Sequence, residues 1–209
     1  MYAYLIFVAL LANGVQTQVP FSGKCPRIKH VQQNFDVKKF EGVWISTEKY
    51  FAGFEIGKKC FEAVYSMRDN ETMFIHNRMI GKLTRKVTYM DGYATPTGEP
   101  GEGKFLFLFK FPLPLNGPYW VLETDYDSYA VMWSCSQAIG FNSRLAWILT
   151  RARNFTQETL DKAYSVLDKN RLSKRLLRKM DQTGCPKYDE NIEDFKVLLR
   201  NAKSVDLLE

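Results

Sequence analysis

Eight short runs of strand-forming residues, separated by polar, Gly, Pro or Asp connections, fill the middle of the chain and limit what it can become. They are Gly42 to Tyr50, Cys60 to Met67, Thr72 to Arg78, Lys86 to Ala94, Lys104 to Lys110, Tyr119 to Thr124, Tyr129 to Cys135 and Leu145 to Arg151. Each is long enough for a strand and short for a helix, so the pattern predicts an antiparallel sandwich or barrel. In an up-and-down order, eight strands close on themselves, remove their own edges and leave room for one small ligand. Periodicity alone does not separate the barrel from the sandwich.

The ends of the chain read differently. Met1 to Thr17 carries no charged side chain, and Tyr4 to Ala12 is an almost unbroken apolar run. That length fits the core of a secretory signal and is too short to span a bilayer, although the first residues lack the usual Lys or Arg. Residues 1–17 are therefore expected to be removed, with cleavage after Gly14 or Thr17. The last residues, Ser204 to Glu209, are too short and too charged to serve as a lipid-anchor signal. About 190 residues remain, enough for one domain at 18–187 and a tail at 188–209. A soluble, extracellular protein is expected.

The 29 Lys plus Arg against 23 Asp plus Glu give a formal charge of +6, spread along the chain. Nucleic-acid binding would want a basic stripe with aromatic stacking partners. Here the aromatics sit inside the strand-like runs, so no nucleic-acid partner is expected. Cys25, Cys60, Cys135 and Cys185 follow a signal segment, which implies two disulfides in one of three connectivities. Their spacing fits no zinc or redox motif, with only His30 and His76 to help, so no metal site is expected. With two histidines and paired cysteines, no nucleophile and base form a convincing catalytic set. Asn70-Glu71-Thr72 and Asn154-Phe155-Thr156 are glycosylation sequons in polar stretches.

Three stretches share an order and spread that carry more than composition does. Gly42-Val43-Trp44 opens the first strand, Thr124-Asp125-Tyr126 fills a tight connection, and Arg151 ends the last strand. In this arrangement they resemble the lipocalin family, and within it the apolipoprotein D and insect bilin-binding branch, over about Lys24 to Lys187. The resemblance implies an eight-stranded antiparallel up-and-down β-barrel with a C-terminal α-helix packed on its wall. It also pairs Cys25 with Cys135 and Cys60 with Cys185. Each bridge would close a loop of roughly a hundred residues, worth about 4–5 kcal/mol in the chain-entropy model. First and last strands run oppositely, so Trp44 and Arg151 should meet at a closed end as a cation–π pair worth about 0.5–2 kcal/mol.

Carried over residue by residue, the ligand contacts of that branch fall on Tyr65, Asn77, Tyr119 and Trp147, with Tyr129 a further candidate. Aromatic rings pack flat ligands, and an inward amide such as Asn77 costs about 1–3 kcal/mol unless a ligand or water satisfies it. The function implied is carriage of a small hydrophobic molecule, such as a fatty acid, sterol or related lipid, without chemistry. No cofactor is required. The alternatives are a pigment carrier holding biliverdin and, from another class, a partner-binding or cell-surface glycoprotein.

After Arg151 the period changes. Asn154 or Thr156 can cap a helix through about Lys169 with Leu160, Tyr164 and Leu167 on one stripe. A second helix is expected over Leu172 to Met180, carrying Arg175, Arg178 and Lys179 as a solvated or anion-binding face. A third is expected in the tail, where Ile192, Phe195, Leu198, Leu199 and Ala202 have amphipathic spacing. Finally, Phe105-Leu106-Phe107-Leu108-Phe109 should point its phenylalanines inward and climb to Phe111-Pro112-Leu113-Pro114-Leu115 at the open end. Phe51, Phe54, Ile139 and Phe141 should emerge there too. The expectation is an apolar rim for membranes, lipoprotein particles or weak self-association, in which Leu113 and Leu115 do not touch the ligand.

Overall fold

A computed structural model of the chain describes residues 20–68, 72–109 and 115–186. The signal segment, Asn70, the loop Phe111 to Pro114, the side chain of Phe54 and the expected tail helix lie outside the described residues. The strands are β1 (Pro20–Ser22), β2 (Gly42–Tyr50), β3 (Lys58–Met67), β4 (Met73–Gly81), β5 (Val87–Pro96), β6 (Lys104–Phe109), β7 (Leu115–Thr124), β8 (Tyr129–Gln137), β9 (Phe141–Thr150) and β10 (Leu177–Lys179). Among the described residues two α-helices accompany them, the single turn α1 (Val37–Phe40) and α2 (Gln157–Lys169). Strands β2 to β9 pair in sequence order, and β9 returns to β2, which closes an eight-stranded antiparallel barrel. All eight runs seen in the sequence are its staves.

Alternation sorts the side chains into two cores. Trp44, Tyr65, Ile75, Met132, Trp147 and Leu149 fill the interior. Val131, Trp133, Ala146 and Ile148 face outward and are covered by Leu160, Ala163, Val166 and Leu167 of α2. Thr156 caps that helix by accepting a hydrogen bond from the Thr159 N–H at 3.2 Å, worth about 1 kcal/mol. Each fully buried leucine on its inner face contributes about 1.5–3 kcal/mol of transfer free energy. The Tyr164 hydroxyl donates to Glu48 at 3.0 Å, which ties the helix to β2.

One end is plugged. Gly42 has φ +97°, and a Cβ there would lie 3.2 Å from the Arg151 guanidinium, so glycine serves both the turn and the close approach. The guanidinium sits 3.9 Å over the Trp44 ring. It donates to the carbonyls of Tyr126, Val43 and Lys39 at 2.9, 3.1 and 3.0 Å. The Trp44 indole N–H donates to Phe40 O at 2.9 Å, locking α1 across the opening. In the β7–β8 turn, Thr124 Oγ1 accepts from the Tyr126 N–H, and Tyr126 Oη accepts from the Asp36 N–H. Asp125 accepts from the N–H groups of Asp127, Ser128 and Tyr129. Burial pushes the Asp125 carboxyl up, but the hydrogen bonds from Ser128, Tyr129 and Asp127 outweigh it and hold the group below its usual range.

The tails are stapled to the wall, Cys25 to Cys135 and Cys60 to Cys185. The stretch Leu172 to Met180 is not the expected helix. It contains a 3-10 turn, Lys174–Leu176, and then β10, which pairs with β2 through Leu177↔Tyr50, Arg178↔Lys49 and Lys179↔Glu48. The reason lies in the barrel wall. Strand β3 pairs with β2 only along Gly42 to Ile45, so the upper half of β2 has an open edge. Unpaired N–H and C=O groups on such an edge favour an extended partner over a helix with nothing to lie on. The following residues continue the wedge: Met180 N–H donates to Thr47 O, Cys60 N–H to Asp181 O, and the Gln182 amide to Ser46 O and Phe61 O. A further strand, β1, which the sequence pattern did not announce, adds to the start of β9.

Candidate functional site

The barrel interior opens away from the Trp44 plug as a cavity enclosing about 750 Å³ of empty space, the solvent at its mouth included. Its wall is built by parity. Ala63 and Tyr65 on β3, Asn77 on β4, Met90 on β5, Phe107 and Phe109 on β6, Tyr119 on β7, Ser134 and Ser136 on β8, and Leu145, Trp147 and Leu149 on β9 all face inward. The wall is therefore apolar and aromatic, with a few isolated polar groups.

Those polar groups are specific. The hydroxyls of Tyr65 and Tyr119 are 2.5 Å apart. Burial pushes the Tyr119 phenol up to about 12 and, with Tyr119 beside it, drives Tyr65 well above its ordinary value. Both phenols are therefore neutral at physiological pH. One proton bridges the pair, and the second is left to donate to an oxygen in the cavity. Tyr119 also stands edge-on to Trp147, with centroids 5.7 Å apart. Asn77 is 5 % exposed and its amide has no hydrogen-bond partner among the described residues.

At the mouth lies a charged pair that the sequence pattern did not reveal. Lys49 and Glu55 are both buried and form an ion pair, with the ammonium 5.7 Å from the Phe61 centroid. Lys49 faces inward because β2 slips register between Ser46 and Glu48, so that Ser46 opposes Leu149 while Lys49 opposes Trp147. Removal from water lowers the Lys49 pKa to about 7. Glu55, on the short turn Gly53–Glu55 of the β2–β3 connection, borders the cavity itself.

Four of the five residues named as ligand contacts, Tyr65, Asn77, Tyr119 and Trp147, meet on this cavity. Tyr129 does not. It pairs with Thr150, one position out of phase with the inward pair Ala130↔Leu149, and it packs in the outer core under α2. Its hydroxyl donates to Glu123 at 2.8 Å. Leu115 is a second correction, since it lines the cavity and so belongs to the ligand wall as much as to the rim. Ser134 and Ser136 went unnamed in the sequence, although alternation with Met132 places them inside; Leu145 and Leu149 share the face of Trp147 by the alternation of the last run, and they too line the cavity. Asn154 is exposed, as a glycosylated residue must be. Among the described residues there is no cluster suited to a metal ion, and no helix long and apolar enough to cross a membrane.

Residues 41–184 match the lipocalin / cytosolic fatty-acid binding protein family. Apolipoprotein D of Macaca fascicularis is 35% identical over 169 residues, covering 79% of this chain and 86% of that protein. The Lazarillo protein of Schistocerca americana is 30% identical over 72% of each chain. Insecticyanin from the tobacco hornworm Manduca sexta, a solved structure, superposes with a TM-score of 0.69 at 26% identity, covering 80% of this chain and 90% of that one. The match spans the closed barrel, the plug of Gly42, Trp44 and Arg151, and the helix on the wall, and the chain belongs to the lipocalin family.

Proposed function

We propose that the protein is secreted and carries a small hydrophobic molecule with at least one hydrogen-bonding oxygen, such as a fatty acid, sterol or related lipid, without covalent chemistry. The observation that carries this reading is the cavity itself: an aromatic wall closed at one end, with the Tyr65–Tyr119 hydroxyl pair and the unpartnered Asn77 amide as its polar contacts. Apolar area drives entry at about 25 cal/mol per Å² buried, and the polar groups fix orientation. Titration with a fatty acid, a progesterone-like steroid and biliverdin tests it. Trp147 is the one tryptophan of four that borders the cavity, so bound ligand should quench a component of the emission that is lost in Trp147→Phe. No quenching and no retained ligand for any member of the panel would refute the carrier reading. A visible absorption band acquired with biliverdin alone would select the pigment-carrying alternative.

The mouth supports delivery at an apolar surface. Ile56, Leu83 and Ile139, at the tips of three open-end connections, are 69%, 96% and 99% exposed, and Phe141 stands beside them at 49%. Such residues are solvated at a cost that a lipid or particle surface removes. Changing Ile56, Leu83 and Ile139 together to Ser should weaken vesicle flotation or self-association while leaving ligand affinity nearly unchanged. Unaltered flotation and sedimentation would eliminate the rim.

A further inference from the structure

Outside the barrel, beside its open end, a second cleft encloses about 580 Å³ of empty space, open solvent included. Three arginines from three segments converge on it: Arg144 from β9, Arg175 from the 3-10 turn and Arg178 from β10. No carboxylate lines the cleft, and none of the three has an ion-pair partner among the described residues. Several cations elsewhere on the outer wall do have carboxylate partners. Glu62 is held between Arg78 and Arg153, Lys174 pairs with Asp168, and Lys169 pairs with Glu123.

The guanidiniums are held in place by something other than anions. The Arg144 guanidinium lies 4.5 Å from the Phe21 ring centroid, and its Nε donates to Asn142 Oδ1 at 2.7 Å. The Arg178 guanidinium lies 5.1 Å from the Phe51 centroid. Rings that hold cations face-on reduce the side-chain entropy lost when an anion arrives, and they leave the outer edges of the forks unused. Like charges gathered in one cleft repel, and a multiply charged anion removes that repulsion.

The geometry points to an anion site on the outer wall that takes a phosphate group, bound by Arg144, Arg175 and Arg178 over the Phe21 and Phe51 rings. A carboxylate offers a single charge and one planar edge, which one guanidinium satisfies. A phosphate offers close to two charges and three oxygens in different directions, which suits three forks arriving from different strands. The group can belong to a free phosphate ester or to a lipid headgroup. Phe21 of the cleft precedes Ser22, which pairs with the exposed Phe141, and this nearness makes the headgroup compatible with the apolar rim.

The test uses the whole protein without a bound ligand, with inorganic phosphate followed by calorimetry and NMR, acetate as the control anion, and vesicles of phosphatidylcholine with or without phosphatidic acid. Arg175 and Arg178 are exposed, so the variant Arg175→Gln/Arg178→Gln should keep the fold, checked by an unchanged melting temperature and unchanged Trp147 emission. The expected result is phosphate binding, with acetate much weaker, reduced about tenfold or more in the double variant and declining with added salt. Binding of phosphate without preference for phosphatidic acid vesicles assigns the site to a free ester. Arginine-dependent co-sedimentation with phosphatidic acid vesicles assigns it to a headgroup. Absence of both, equal binding of acetate, or binding unaffected by the double variant overturns the proposal.

Discussion

Replacing Arg151 with Met tests whether the plug is a stability device separate from the ligand site. The guanidinium donates short hydrogen bonds to the Tyr126, Val43 and Lys39 carbonyls at 2.9, 3.1 and 3.0 Å, and a longer, weaker one to Phe40 O at 3.5 Å. A hydrogen bond from a charged donor contributes about 1.5–3 kcal/mol when buried, and this side chain is only half-buried, so about 1 kcal/mol each is appropriate. The stack on Trp44 at 3.9 Å adds about 0.5–2 kcal/mol, part of which a Met side chain retains through packing. The expected loss is about 3–4 kcal/mol, or a Tm lowered by roughly 6–16 °C for a domain of this size. Arg151→Lys keeps the charge without the fork and should lose about half as much. Calorimetry at pH 7 reads both. Because Arg151 does not line the cavity, ligand affinity should stay within about threefold. A Tm within about 2 °C of the parent protein, or a large loss of affinity at unchanged Tm, would refute the reasoning.

Cys60→Ser/Cys185→Ser should free the wedge first, so that hydrogen exchange at Met180 and Cys60 N–H accelerates while β6–β8 stays protected; the chain-entropy limit for total destabilisation is about 4–5 kcal/mol. Tyr129→Phe should leave ligand affinity unchanged in the same titration and cost about 1 kcal/mol through the lost bond to Glu123, read as a shifted urea midpoint. The Lys49 pKa is lowered from 10.5 to about 7, so between those values the unfolded chain holds a proton the folded one does not, and stability should rise with pH across that window and fall away toward pH 7. Lys49→Met should flatten that rise in urea midpoints taken from pH 7 to 10; an identical slope in the variant would show that burial at Lys49 is not its source.

How far the fold could be read depended on whether a local rule decided each segment. The eight staves were legible because period-two alternation and turn residues are local, and α2 was legible because Thr156 and the Leu160–Leu167 stripe satisfy both cap and face. Closure was not local. It rested on the likeness of Gly42, Trp44 and Arg151 to the lipocalin pattern, and the register Ile45↔Thr150 then supplied it. Leu172 to Met180 satisfies a helical period as well as α2 does, yet its backbone is extended. Its conformation is set by an edge that exists only after β2 and β3 have parted, and by the bridge that holds Cys185 beside Cys60. Propensity is a weak prior when a tertiary partner with unpaired backbone groups is waiting.

The cavity shows the same division at the scale of single residues. Tyr129 was misplaced although parity was available to place it: Cys135 lies six positions on, shares its face, and bridges to the outer tail at Cys25. Applying alternation from that cysteine would have put Tyr129 under the helix and Ser134 in the lumen. Lys49 could not have been found in that way. Counting by twos from the inward Trp44 gives Ser46, Glu48 and Tyr50 as lumen residues, and places Lys49 in solvent, where a lysine is expected. One extra residue at Thr47 inverts the count. Thr47 bonds to the Thr150 hydroxyl at 2.8 Å and its carbonyl accepts from Met180, so the bulge is held by β9 on one side and by the residue that follows β10 on the other. The inversion sends Glu48 outward to Tyr164 of α2 and Lys49 inward to Glu55. A single irregularity in the ladder thus docks the helix and charges the mouth of the cavity together. Deleting Thr47 should leave a regular ladder in which Ser46, Glu48 and Lys49 still oppose Leu149, Ile148 and Trp147, so that α2 stays docked and the pH dependence traced to Lys49 persists; inserting a residue after Thr47 should instead turn Lys49 outward and abolish that dependence in urea midpoints.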